Sequence, residues 1–211
     1  MTAMTQKSID EFLDRLASAD PTPGGGSAAA IMGAAAAALV SMVCNVSIGK
    51  KGCEAAEPEM RAVLEKSESL RRRLTRMVED DVAAFDGLMA AYRLPKATEH
   101  DKAGRADAIQ ACLKRATQVP LDCARVCGEV IALSRRAGEH GYQHVISDAG
   151  VAVAAAYAAL RSAALNVFIN APALKDRAFA EQAVDEIEQL LERSAAESEA
   201  VYALVRGKLV G

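Results

Sequence analysis

Four stretches of the 211-residue chain carry residue types suited to chemistry. The first is Pro21-Thr22-Pro23-Gly24-Gly25-Gly26-Ser27, which runs straight into Ala28-Ala29-Ala30. The prolines fix φ and give up donors, while the glycines allow positive φ and close approach of another group. Ser27 stands where an N-cap is expected, ahead of strong helix formers. A stiff loop almost without side chains thus feeds a helix whose free N–H groups attract an anion or a carbonyl oxygen. It is neither the GxGxxG pattern nor a phosphate loop, since no lysine follows the glycines.

The second is Asp81. Tyr92, Leu88, Phe85, Met77/Val78, Leu74 and Leu70 fall within roughly 60° of one line at about 100° per residue, and Asp81 lies at its centre. Glu79, Asp80 and Asp86 point elsewhere. A carboxylate on a buried stripe is costly unless it is paired or used. The competing reading is a structural aspartate that accepts hydrogen bonds from the start of a neighbouring helix. The third is Lys50-Lys51, where two positive charges follow a helix C-terminus and suit its dipole. The fourth is the helix containing Ser147 and Asp148 in its first turn, with Asn166 and Asn170 four apart at its end. Those amides either face a ligand or close off carbonyls. Other chemistries find less support: His140 and His144 are separated by Gly141, Cys123 and Cys127 read as packing residues, and no histidine is singled out as a base for Ser27.

The elements that must position these groups are helices. Residues 5–18 form an amphipathic helix, and 28–49 a charge-free one ending at Gly49. A long charged helix runs from about Pro58 to Tyr92, and another covers 101–136 with a bend at Pro120. A second nearly uncharged helix spans 145–168, and a last one runs from Asp176 to the C-terminus. No strand-like alternation of useful length occurs. The expected fold is an all-α bundle of long helices around two Ala-rich central ones, forming one domain over residues 1–211. Hydrophobic residues make up 51% of the chain but aromatics only 4%, which suits tight helix packing. Residues 28–49 could span a bilayer by length, but Ser41, Asn45, Ser47 and the scarcity of Leu and Phe favour a helix wrapped by others. A net charge of −3 argues against nucleic acid as a partner. Five cysteines without a pairing pattern, and an N-terminus without an apolar leader, point to the cytoplasm.

The segments PTPGGGSAAA, SMVCNVSIGKK, EDDVAAFDGLMAAYRLPK and VISDAGVAVAAAYAALRSAALNVFIN, in that order, resemble the cyclodeaminase/cyclohydrolase family, that of the C-terminal domain of formiminotransferase-cyclodeaminase. The likeness runs from about residue 8 to residue 205. It implies an all-helical homodimer that binds a tetrahydrofolate derivative as substrate in a cleft, without a metal or a tightly bound cofactor. No formiminotransferase domain accompanies these segments, which favours hydrolysis of 5,10-methenyltetrahydrofolate to 10-formyltetrahydrofolate over cyclodeamination of formimidoyltetrahydrofolate. A non-catalytic folate-binding protein is the reading from another class.

Within that resemblance the residues take roles. Asp81, with Asp148 next in line, holds and deprotonates the attacking water. Lys50 serves as acid, and Lys51 or Lys50 grips the anionic glutamate. Pro23, Gly24, Gly25, Gly26 and Ser27 lie against the pterin or the tetrahedral hydroxyl, with Asn166 and Asn170 as further substrate contacts.

Overall fold

Charge placement decides which helices are central. In the computed structural model, which describes residues 3–211, six α-helices follow one another: α1 (Ile9–Leu16), α2 (Gly25–Ser47), α3 (Glu57–Tyr92), α4 (Glu99–His140), α5 (Ile146–Asn170) and α6 (Arg177–Val210). Among the described residues there is no strand. The uncharged α2 and α5 pack on each other, with α4 behind both, α3 flanking α2, and α6 flanking α5. Both have the length and composition of a membrane-crossing segment, yet each buries about half of its residues inside the bundle.

The core is made of small and branched aliphatic side chains, among them Ala36, Val40, Leu74, Ile131, Leu160 and Ile187. Close packing demands small residues at the crossings: a Cβ on Gly33 would stand 2.9 Å from Cys127 Sγ and 3.1 Å from Leu74 Cδ2. A smaller cluster of Leu88, Leu113, Leu174 and Ala180 seals the far end, where α3 and α4 outrun the inner pair. Ion pairs such as Arg125–Glu186 and Arg135–Glu197 tie α4 to α6 at the partly exposed rim, where each contributes little.

α2 and α5 run antiparallel. Ser47, at the end of α2, accepts the Tyr142 N–H just ahead of α5 at 2.7 Å, whereas Gly25, at the start of α2, faces Asn166 near the end of α5. This sets where every candidate group can meet.

Three local expectations are corrected. The first amphipathic segment is not one helix over 5–18: a 3₁₀ turn covers Met4–Gln6, and α1 starts only after Ser8, which forms a reciprocal capping box with Glu11. The helix expected from 101 starts at Glu99, behind a Thr98–Asp101 box, and stays α-helical through Pro120 to His140. The buried stripe of α3 ends at Leu88 and Ala91, for Tyr92 is 43% exposed and stacks with Arg105.

Candidate active site

The glycine-rich stretch is less a loop than the first turn of α2. Gly24 is the N-cap, with an extended backbone, and Gly25, Gly26 and Ser27 are the first three helical residues. Ser27 therefore does not cap α2, as its residue type suggested; it sits fully buried in the first turn. None of the three glycines has positive φ, and only Gly26 is required for space: a Cβ on Gly24 or Gly25 would meet nothing closer than 3.8 Å.

The space belongs to Asp81. Its carboxylate Oδ2 accepts the Ser27 hydroxyl hydrogen bond at 2.7 Å. A Cβ added to Gly26 would lie 2.6 Å from Asp81 Cγ and 3.0 Å from Oδ2, closer than real atoms approach. The anion that the start of α2 attracts is thus the chain's own aspartate, donated from α3 across the bundle. Both sequence readings of Asp81 meet here: it is bonded by a helix start, and it is a largely desolvated carboxylate beside a glycine-lined surface. Burial raises its pKa above the ordinary value of 3.8, and hydrogen bonding by Ser27 pulls it part of the way back. Asp80, the next residue, points to solvent.

Of the other expected contacts, Pro23 is buried, and Asn166 places Nδ2 3.8 Å from where a Gly25 Cβ would stand while donating to the Ser162 carbonyl at 2.9 Å. Asn170 has a different task. Its amide nitrogen donates to the carbonyls of Asn166 and Ala116, both at 2.9 Å. Ala116 is four residues before Pro120, which has no N–H to offer it. Asn170 thereby satisfies the carbonyl that the internal proline leaves open, and both its amide hydrogens stay within the fold.

Lys50, Lys51 and Asp148 lie at the other end. Gly25 and Ser47 stand at opposite ends of the 23-residue α2, about 33 Å apart at 1.5 Å per residue. There Lys50 and Lys51 are exposed, and Lys50 Nζ stands 5.6 Å from the Tyr142 ring centre. Asp148, in the first turn of α5, is half-buried and makes no capping bond. A single chain therefore does not bring Lys50 or Asp148 to Asp81, contrary to a one-cluster reading. The sequence missed Lys7 and Arg71, which line a cleft beside Asp81; only the Ser8–Glu11 box, which fixes where the chain turns onto the bundle, hinted at Lys7.

A bundle of this topology is what the comparisons with known proteins also return. The chain belongs to the formiminotransferase-cyclodeaminase family, whose model matches residues 8–189. Among its relatives, it is 59% identical over 203 residues to the methenyltetrahydrofolate cyclohydrolase of Methylorubrum extorquens, spanning 96% of this chain and 98% of that one. It is 30% identical to the formimidoyltransferase-cyclodeaminase of Rattus norvegicus, of which it spans only 38%. The crystal structure of formiminotetrahydrofolate cyclodeaminase from Thermotoga maritima matches with a TM-score of 0.82 at 32% identity, over 98% of both chains.

Proposed function

We propose that the protein hydrolyses 5,10-methenyltetrahydrofolate to 10-formyltetrahydrofolate, with Asp81 as the base. The likeness to the cyclohydrolase, at 59% identity over nearly the whole of both chains, gives the reaction; the Asp81–Ser27 pair at the glycine face gives it a mechanism. The bridging carbon of the substrate is an electrophilic amidinium. Water adds to it as Asp81 takes one water proton, leaving a neutral tetrahedral carbinol. That carbinol collapses with cleavage of the carbon–N5 bond; N5 gains a proton, the carbon becomes the N10 formyl group, and one proton is released overall. The carbon stays at the oxidation level of formate, so no redox cofactor is called for. Ser27 keeps Asp81 fixed, Gly26 makes room for its carboxylate, and the exposed, side-chain-free Gly25 leaves room for a flat ligand. Asp81 aimed at the water and not at the cation avoids over-stabilising the ground state.

Homodimerisation is part of this proposal. Along α5, Val151, Leu165 and Ile169 are 55%, 68% and 75% exposed and, with Ala154 and Ala158, form a largely apolar stripe, interrupted by Arg161, that stays uncovered among the described residues. A two-fold axis across this face sets two α2/α5 pairs antiparallel and carries the Lys50–Asp148 end of one copy toward the Asp81 end of the other. Lys50 of the second copy then supplies the proton to N5. The setting we infer is cytoplasmic, with no membrane, nucleic acid or tightly bound cofactor involved.

Cyclodeamination is the second reading, favoured by the match to the Thermotoga maritima structure. Following the ultraviolet absorbance of methenyltetrahydrofolate, beside a parallel assay of ammonia released from formimidoyltetrahydrofolate, decides between them. Faster turnover of the formimidoyl compound reverses the order, and no turnover of either leaves a binding protein.

A further inference from the structure

Next to Asp81 lies a cleft of about 630 Å³ between the N-terminal segment, α2 and α3, a size that suits a small-molecule site. It starts one turn from the Asp81–Ser27 pair, at Val78 and Ile31, and continues along the α2/α3 groove beneath α1. Its walls are apolar, with Phe12, Leu13, Ile31 and Ala38 among them, and its cations are Lys7 and Arg71. Arg71 lies ten residues before Asp81 on the same helix, about 15 Å away at 1.5 Å per residue.

Lys7 is mostly covered, and Arg71, 37% exposed, is held by a carboxylate of its own helix. The Lys7 side chain is only 19% exposed, and its nearest carboxylate, Glu11, stands at 3.8 Å and is itself 60% exposed. Arg71 is held by Glu68 through Nε at 2.9 Å and Nη2 at 2.8 Å, a fork that leaves Nη1 uncommitted. The two-point contact sets the direction of the guanidinium, and Arg71 in turn drives the Glu68 carboxyl down to about 2. An oriented arginine and a covered lysine on the walls of an apolar slot suit a flat ring that ends in carboxylates.

We propose that this cleft seats the p-aminobenzoylglutamate arm of the folate, with the ring between α1 and the α2/α3 groove and the glutamate carboxylates on Lys7 and Arg71. An extended benzoyl-glutamate unit is on the order of 10 Å long by ordinary bond lengths, which fits the run from Asp81 to Arg71. The assignment rests on the folate reading above, and it moves the glutamate grip away from Lys50 and Lys51. Glu68 is a positioning residue for Arg71.

The test uses the full-length protein and its Lys7→Met and Arg71→Met variants. The substrates are 5,10-methenyltetrahydrofolate and 5,10-methenyltetrahydropteroate, which lacks only the glutamate. Each variant is expected to raise KM for the folate about tenfold or more, the scale of a lost charge-assisted hydrogen bond, with the loss confined to KM. With the pteroate, wild type and variants should coincide. Equal losses on both substrates, or no loss on the folate, overturn the assignment. So does a change of association state in Lys7→Met with KM unaltered, which would make a second copy the occupant. Lys7 lies outside the bundle core, so its variant stays informative if Arg71→Met folds poorly. An NMR titration with p-aminobenzoyl-L-glutamate against p-aminobenzoate decides the matter without turnover. Binding of the first alone, abolished in the variants, supports the cleft even if hydrolysis fails, and absence of binding refutes it.

Discussion

Replacing Gly26 by alanine probes the geometry on which the site depends. The new Cβ would stand 2.6 Å from Asp81 Cγ, where carbon atoms need about 3.5 Å, so the carboxyl must retreat by roughly 1 Å. The Ser27–Asp81 hydrogen bond, now 2.7 Å, then leaves the bonding range. Losing a hydrogen bond to a charged group costs about 1.5–3 kcal/mol, and removing a helical glycine returns up to about 1 kcal/mol. The net is a loss of about 1–2 kcal/mol, or about 2–8 °C in Tm for a chain of this size. Turnover should fall more steeply, by about 10²-fold, because a displacement of that order takes a base out of reach of its proton. Gly25→Ala is the control, since its Cβ would meet only Asn166 Nδ2, at 3.8 Å, and its Tm should stay level or rise. Thermal melts and initial rates of methenyltetrahydrofolate loss on the two variants read this out. Gly26→Ala with the Tm and rate of wild type would refute the reasoning.

Three further outcomes follow. Because burial raises the Asp81 pKa above its unfolded value, the folded state binds that proton more tightly. The group's contribution to stability is therefore full below about pH 3.8 and is lost as pH rises through the folded pKa; urea titrations should show this component of the pH dependence missing in Asp81→Asn. Asn170→Ala should cost about 1–3 kcal/mol by leaving the Ala116 carbonyl unbonded, and Pro120→Ala, which restores an N–H, should recover part of that in a double-mutant cycle; additive losses would deny the coupling. Leu165→Glu should convert the proposed dimer to a monomer in sedimentation with helical content retained, and a mass equal to that of wild type would refute an interface on this face.

Much of the architecture is legible in the chain because charge is a strong constraint on burial. α2 and α5 carry almost none, and so must lie inside; α3, α4 and α6 show charged faces, and so flank them. Asp81 is legible for the same reason, as the one acid centred on an apolar stripe. What it touches is not: that Ser27 lies in the first turn, and that Gly26 and not Gly25 is the tight position, depend on where α3 crosses α2. The purpose of Asn170 is equally hidden, for its partner Ala116 lies 54 residues away and lacks its own partner only because Pro120 stays within a continuous helix. The separation of Lys50 and Asp148 from Asp81 could not be read either. Antiparallel packing of α2 on α5 sets it, and residue types near helix ends carry no information on which ends meet.

The central claim is that Asp81 is the base for hydrolysis of methenyltetrahydrofolate, and the rate of Asp81→Asn tests it most directly. Asparagine keeps the shape and can still accept from Ser27, but it cannot take a proton from water at neutral pH. Initial rates would be measured alongside folate binding, with the solvent-facing Asp80→Asn as control. Turnover of Asp81→Asn should fall by about 10²–10⁴-fold with binding retained, and that of Asp80→Asn should change little. Turnover in Asp81→Asn equal to wild type would contradict it and leave Asp81 as a structural partner of the α2 helix start.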